Sequence, residues 1–105
     1  MFLYNYEVEL QAKRALMSLR EELAMNINRT SSFEAASTAS EMLCIIARRP
    51  DHFLGLELIN VLDNPKKYET IDISSMISAF LTNIQAHIEH VREMDPLNNI
   101  NPVQN

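Results

Sequence analysis

The chain has 105 residues, of which 47% are apolar, and a formal net charge of −5 at neutral pH. That length suits one domain with a single hydrophobic core, while one glycine and four prolines are too few for the turns of a sheet-rich fold. The acidic balance argues against nucleic acid as a partner, because phosphate binding needs a cluster of basic side chains. The composition therefore predicts a small all-α protein.

Three features of the sequence favour the cytoplasm. The single cysteine, Cys44, has no partner for an internal disulfide, which favours a reducing compartment. The first residues, MFLYNYEVEL, lack the positively charged start of a secretory signal. The longest apolar run, FLGLELINVL, is interrupted by Glu57 and Asn60 and is far shorter than a membrane span. We therefore expect a cytoplasmic protein that does not bind a membrane.

The first helix is predicted over residues 5–27, with Asn5 as a favourable N-cap. Its main apolar face follows helical spacing and contains Val8, Ala12, Leu16, Leu19, Leu23 and Ile27. A second, smaller apolar strip, well away from that face, consists of Tyr6, Leu10 and Met17. Packing of the main face against one core does not explain why this strip is apolar. The strip is therefore a candidate partner-binding surface.

The second helix is predicted over residues 31–49. Ser31 and Glu34 have the spacing of a capping box, and Pro50 disfavours helical geometry at the residue before it. The predicted buried face consists of Phe33, Ala36, Ala39, Leu43, Ile46 and Ala47. Because small residues make up the first half of that face, a neighbouring helix can approach closely there.

The third helix is predicted to begin at Pro50 and Asp51 and to end near Asp63. Large apolar side chains nearly surround it, which is the pattern of a buried helix. Gly55 costs up to about 1 kcal/mol of helix propensity relative to alanine, so we expect it at a tight contact with another element. The short link between the second and third helices is compatible with a sharp corner or with one kinked helix.

The fourth helix is predicted over residues 73–94, with Asp72 or Thr70 as its N-cap. Its unbroken apolar stripe consists of Ile73, Met76, Ile77, Phe80, Leu81, Ile84, Ile88 and Val91. A series in alternating steps of four and three, as in a heptad repeat, consists of Ile73, Ile77, Phe80, Ile84, His87, Val91 and Met94. Pro96 ends the helix, so residues 1–94 are predicted to form one helical domain and residues 95–105 a flexible tail.

We expect these helices to pack as a small, somewhat irregular antiparallel bundle of four helices. The first and fourth helices are predicted to be the longest, so their ends would extend past the shorter pair and leave apolar surface uncovered. Surplus apolar surface on a small domain commonly marks a binding partner or a dimer interface.

His87 and His90, three residues apart on the fourth helix, most resemble a chemical site. Both side chains could reach one metal ion, but zinc requires three or four ligands, and no second ligand set is visible. The preferred interpretation places His87 half-buried at the edge of the apolar stripe, with one ring nitrogen hydrogen-bonded, and His90 further toward solvent. An intermediate interpretation makes His87 part of a pH-sensitive contact, since histidine titrates near neutrality.

The sequence shows no pattern typical of an enzyme. A nucleophilic cysteine needs a lowered pKa and a nearby base, and nothing in the sequence around Cys44 indicates either. One glycine cannot build a phosphate-binding loop. The third helix carries no cation, which argues against a DNA recognition helix. We therefore expect a protein without catalytic activity, cofactor, bound metal or nucleic acid.

The sequence favours a small protein-interaction module that occupies the surface of another protein, as an adaptor, inhibitor, immunity protein or secretion-type chaperone. Its predicted contact residues are Tyr6, Leu10, Met17, Glu21, His87 and Val91. Acidic side chains such as Glu21 would steer it toward a basic partner. Two alternatives stay open: a homodimer assembled through the heptad-like fourth helix, and a metal-binding bundle that uses His87 and His90.

Overall fold

The computed structural model describes residues 4–95, and within them the regular structure consists of four helices. α1 spans Tyr6–Ala24, α2 Thr30–Ile46, α3 Phe53–Asp63 and α4 Ile73–Met94. Each helix packs against the next one along the chain, α4 packs back against α1, and α2 also touches α4 across the bundle. The predicted all-α bundle of four helices is therefore confirmed.

The core forms where the buried faces of the four helices meet. The apolar side chains with no exposed surface are Leu16, Leu19, Ala36, Leu43, Ile46, Leu58, Ile77, Phe80, Ile84 and Ile88. α1 and α2 form the most extensive helix pair, which agrees with the small residues Ala36 and Ala39 on the buried side of α2. The stripe of α4 is thus largely interior to the single chain.

α2 ends at Ile46 and not at the predicted Arg49. The chain turns out of the helix several residues ahead of Pro50, so the proline does not set the helix end. Arg48 has a φ of 58°, and the amide of Arg49 donates to the carbonyl of Cys44 at 2.8 Å. This is a Schellman ending, which usually has glycine at the left-handed position. An arginine in that conformation costs about 1 kcal/mol, and no local sequence signal marks the turn.

α1 ends in the same way, at Ala24 instead of Ile27. Asn26 has a φ of 59°, and the amide of Ile27 donates to the carbonyl of Glu22 at 2.8 Å. Asparagine is the residue that replaces glycine most readily at such a position. Asn26 therefore indicates the helix end in the sequence, and the predicted end at Ile27 does not take this into account.

The helix starts follow the predicted caps in two of the four helices. At the start of α1 the side chain of Asn5 accepts an amide hydrogen bond at 3.2 Å, and at the start of α4 Asp72 accepts one at 3.1 Å. α2 begins at Thr30 with no side-chain cap, so the capping box predicted for Ser31 and Glu34 is wrong.

The chain turns between α2 and α3 and does not form one kinked helix, since residues 47–52 contain no helix and the two helices pack against each other. α3 begins at Phe53, after the predicted start at Pro50, and the side chain of His52 caps it. The prediction that α3 is buried all round is wrong, because Phe53 and Leu56 on its outer side are exposed. The helix is packed on one side only.

Gly55 lies where α3 contacts its neighbours. A Cβ atom at this position would overlap the Sγ atom of Cys44 and approach Cε1 of Phe80 to 3.0 Å. The tight contact predicted for Gly55 is therefore confirmed, and it explains why a residue with low helix propensity occupies the helix interior.

Asp95, the first residue of the predicted flexible tail, is 2% exposed. Its carboxylate accepts a hydrogen bond from the amide of Tyr4 at 2.8 Å. Asp95 thus belongs to the packed domain, which corrects the predicted boundary by one residue. The rest of the predicted tail, residues 96–105, lies outside the described residues.

Candidate partner-binding face

Four side chains follow one another along the outer side of α1: Tyr6, Leu10, Lys13 and Met17. Their spacing places them on one stripe of the helix, about 16 Å long at the standard helical rise. Tyr6 is 56% and Met17 50% exposed, and Leu10 is half-buried between them. We name these four residues the α1 face.

The ring of Tyr6 lies against Arg92 of α4. The guanidinium carbon of Arg92 is 5.8 Å from the centre of the Tyr6 ring and 5.4 Å from the centre of the Tyr4 ring. Cation–π contacts contribute about 0.5–1 kcal/mol at exposed positions. The exposed Tyr6 ring therefore has a preferred position without any partner, which reduces the entropy that binding would remove.

Glu9, next to the α1 face, is buried and only 1% exposed. Its carboxylate accepts hydrogen bonds from Oη of Tyr4 and from Nζ of Lys13. It also accepts two from Nη2 of Arg92, at 3.0 and 3.2 Å. We name these four residues the Glu9 cluster. Because Arg92 belongs to α4 and Glu9 to α1, the cluster closes the bundle between its first and last helices.

The protonation states of the Glu9 cluster follow from its hydrogen bonds. Burial acts to raise the pKa of Glu9, but hydrogen bonds from Lys13, Tyr4 and Arg92 outweigh it, and the pKa is lowered. Burial and the hydrogen bond to Glu9 raise the pKa of Tyr4 to about 12. Burial acts to lower the pKa of Arg92, but its hydrogen bonds to Glu9 and Tyr4 raise it. At neutral pH the carboxylate is therefore ionised and the phenol is not.

Lys13 joins the Glu9 cluster to the α1 face. Its Nζ atom donates to Glu9 on the same helix and to Oε1 of Gln85 on α4, at 2.5 Å. The ion pair that the spacing of Glu9 and Lys13 predicts is present. Through these contacts the α1 face is held in a defined position against α4.

The burial of Glu9 was not predicted, although a signal for it was available. Glu9 precedes Ala12 by three residues and Leu16 by seven, which is the spacing of the apolar face itself. A carboxylate on a core face must find cationic or hydrogen-bonding partners. Its partner Arg92 is 83 positions away in the chain, and no local pattern identifies it.

Val91 is 4% exposed and packs in the core. The surface role predicted for it is therefore wrong, because a core residue shows the same periodicity as an interface residue. The apolar residues of the heptad series before it, Ile73, Ile77, Phe80 and Ile84, are at most 9% exposed. A dimer formed through this series would require the core to open.

His87 lies on the side of α4 that faces α3, away from the α1 face. Its Nδ1 atom accepts a hydrogen bond from Nε of Arg49 at 3.2 Å, and the ring is half-buried. His90 is exposed, so both side chains lie as the preferred interpretation predicts. Glu21 is exposed on α1. The predicted contact residues thus do not form one continuous surface.

A second apolar patch, which the sequence analysis missed, consists of Phe53 and Leu56 on the outer side of α3. Phe53 is 65% and Leu56 50% exposed. Glu57 and Asn60, four and seven residues after Phe53, are on the same side and were the available signal that it faces solvent. We name Phe53 and Leu56 the α3 patch. α1 and α3 occupy opposite corners of the bundle, so the patch is separate from the α1 face.

A cleft of about 790 Å³ lies at the other end of the bundle from Tyr4 and Arg92, between the α1–α2 connection and the loop before α4. Its lining includes Leu23, Arg29, Phe33, Glu34, Leu62, Asp63, Lys66 and Asp72. Its lining combines charges of both signs with apolar residues, and this mixture does not favour one class of ligand.

The chain matches no protein-family model, no curated protein and no solved structure. Over residues 4–95, no three His, Cys, Asp or Glu side chains are grouped so that they could hold a metal ion. In the same range no helix is both long and apolar enough to cross a membrane. The α1 face and the Glu9 cluster beside it are therefore the features of the described residues that bear most on function.

Proposed function

We propose that this chain is a small, non-enzymatic interaction module of the cytoplasm that binds another protein through its α1 face. The observation that carries the proposal is the exposure of Tyr6 and Met17 on a helix held against α4 by the buried Glu9 cluster. Tyrosine is enriched among the residues that dominate binding energy. A groove in the partner would take Tyr6, Leu10 and Met17 as successive anchors of one helix face.

The charge of the chain favours a basic partner. The net charge of −5 attracts a basic protein over long distances, which raises the association rate more than the affinity. Glu21 lies at the rim of the α1 face, whereas Lys13 has its charge engaged by Glu9. Arg14 and Arg20 also border this rim by their helical spacing, so the apolar anchors carry more of the selectivity than the charges do. An adaptor, an inhibitor, an immunity protein or a secretion-type chaperone would act in this way.

Two matched double variants test the proposal. The first, Tyr6→Asp with Met17→Glu, places two charges on the α1 face; the second, Phe53→Asp with Leu56→Glu, does the same on the α3 patch. Each would be immobilised beside the unchanged chain and exposed to cell extract, with far-UV circular dichroism as the control for folding. We expect a bound protein that the α3 variant retains and the α1 variant loses, by about 30-fold for anchor residues.

Capture that is equal for all three proteins would contradict the proposal. So would loss with the α3 variant alone, which would move the binding site to the opposite corner of the bundle.

A homodimer is the second candidate, and the exposure of Phe53 and Leu56 favours the α3 patch as its seam. A stable dimer buries about 800 Å² on each subunit, so the patch would have to be joined by neighbouring polar surface. Light scattering at several concentrations tests this with the same variants. A dimer that only the α3 variant dissociates would support it, and a monomer at every concentration would exclude it.

A further inference from the structure

The corner between α2 and α3 contains two histidine rings that both act as hydrogen-bond acceptors. Nδ1 of His52 accepts from the amide of Gly55 at 3.3 Å, and Nδ1 of His87 accepts from Nε of Arg49 at 3.2 Å. The two rings meet edge to face, with their centres 5.6 Å apart. An amide N–H and a guanidinium N–H can only donate, so each contact requires an unprotonated Nδ1.

His52 connects the start of α3 to α4. Its Nε2 atom is 2.7 Å from Oδ1 of Asn83, and because Nδ1 accepts, Nε2 carries the ring proton and donates to Asn83. The ring is 8% exposed and contacts the rings of Phe53 and Phe80. One neutral tautomer thus satisfies the cap of α3 and the contact with α4 together.

The charged and titratable groups that face His87 disfavour a second positive charge. Burial lowers its pKa, and Arg49 in the α2–α3 connection, His52 at the start of α3 and His90 on α4 lower it further. Protonation of His87 would place two cations in contact and remove the acceptor that holds Arg49. Folding therefore favours the neutral ring.

We propose that this corner is an acid-released latch: protonation of His87 breaks the acceptor contact that ties Arg49, in the α2–α3 connection, to α4, and lets the first turn of α3 loosen over Cys44. Cys44 is 3% exposed and lies directly beneath Gly55 in that turn. Opening of the latch uncovers its thiol. Cys44 is the single cysteine of the chain, so it is a built-in reporter of the motion.

The first test measures the reactivity of Cys44 toward 4,4′-dithiodipyridine, which modifies thiols in acid as well as at neutral pH. Rates at about pH 7.5 and 5.5, on either side of the ordinary histidine pKa, are divided by the rates of the urea-unfolded chain at the same pH. We expect this ratio to rise severalfold on acidification, because the closed corner holds His87 neutral and its protonation therefore favours the open corner.

Two matched variants separate the latch from a general effect of acid. His87→Asn keeps an acceptor oxygen for Arg49 and cannot be protonated, so we expect most of the rise to disappear. His90→Asn removes a neighbouring histidine that is exposed, and we expect the rise to persist. An unchanged rate in the natural chain, or equal loss of the rise in both variants, would overturn the proposal.

Hydrogen exchange of the unaltered chain provides a test that no substitution can disturb. After correction for the intrinsic effect of pH, the amides of the first turn of α3, including that of Gly55, should lose protection at the lower pH. The amides of Leu16 and Leu19 in the core of α1 should keep theirs. Equal loss in both helices would show global acid unfolding and would exclude a latch.

Discussion

Arg92 on α4 reaches the carboxylate of Glu9 on α1 through one nitrogen atom, Nη2, which lies 3.0 Å from one oxygen and 3.2 Å from the other. The carboxylate is 1% exposed, while the Arg92 side chain keeps 32% of its surface in solvent. Because Arg92 stays partly solvated, it loses little of its hydration energy. Glu9 is cut off from water, so hydrogen bonds and charges of the protein must replace its hydration. The contact therefore joins the first and last helices through a charge that water cannot reach.

Replacing Glu9 with glutamine should destabilise the fold by about 2–4 kcal/mol at neutral pH, because Lys13 and Arg92 then lose the charge that they share. Glu7 is exposed on the same helix, and Glu7→Gln should change the stability by less than about 0.5 kcal/mol. Urea unfolding of the three proteins measures both effects. Equal stability of the two variants would mean that the Glu9 cluster contributes nothing beyond surface charge.

The contribution of Glu9 should disappear in acid. Its pKa is lowered in the folded chain, so the folded state binds fewer protons than the unfolded state in this range. Its stabilisation is complete above the unfolded pKa of about 4.3 and is lost as the pH falls through the folded value. The stability difference between the natural chain and Glu9→Gln should therefore shrink below about pH 4. A difference that stays constant down to about pH 2.5 would rule this out.

Tyr4 should keep its proton to high pH, because burial and its hydrogen bond to Glu9 raise its pKa to about 12. The chain has three tyrosines, so the tyrosinate absorbance measured against pH should contain one component with that pKa. In Tyr4→Phe this component should be absent. Tyr68→Phe is the control and should leave it in place, with circular dichroism used to confirm that the helices persist. If Tyr4→Phe instead lost a component that titrates at the ordinary tyrosine pKa, the raised pKa would not belong to Tyr4.

Gly55→Ala should destabilise the fold by about 1–3 kcal/mol through overpacking, although alanine improves helix propensity by about 1 kcal/mol. The added methyl group would overlap Sγ of Cys44 and lie 3.0 Å from Phe80. Removing the sulfur with Cys44→Ala should recover part of the loss, and a double-mutant cycle of thermal unfolding measures this coupling. Strictly additive effects would show that the two residues do not interfere.

The sequence predicted α4 with the bounds that the structure has, because every signal for it is local. Asp72 supplies the cap, Pro96 follows the last turn, and the apolar stripe is unbroken between them. The end of α2 was missed for the opposite reason. It depends on the left-handed backbone of Arg48, which is stabilised by the Schellman hydrogen bonds and is not a preference of arginine.

The exposed strip of the candidate site could also be predicted from the sequence, because the helical positions of Tyr6, Leu10 and Met17 lie outside the core face of α1. The sequence could not show whether Val91 belongs to the core or to an interface. Its periodicity is the same whether the opposing surface belongs to this chain or to another, and the packing of α4 against the other helices decides it.

The sequence by itself determined the number of helices, the extent of α4 and the apolar faces that build the core, since these follow from spacing and capping within a few residues. Only the tertiary structure decided that Glu9 is a buried charge, that Arg92 neutralises it, and that two histidines meet at the α2–α3 corner. Each of these depends on which side chain lies opposite. That choice is made when the helices pack, between residues too distant in the chain for any local pattern to connect.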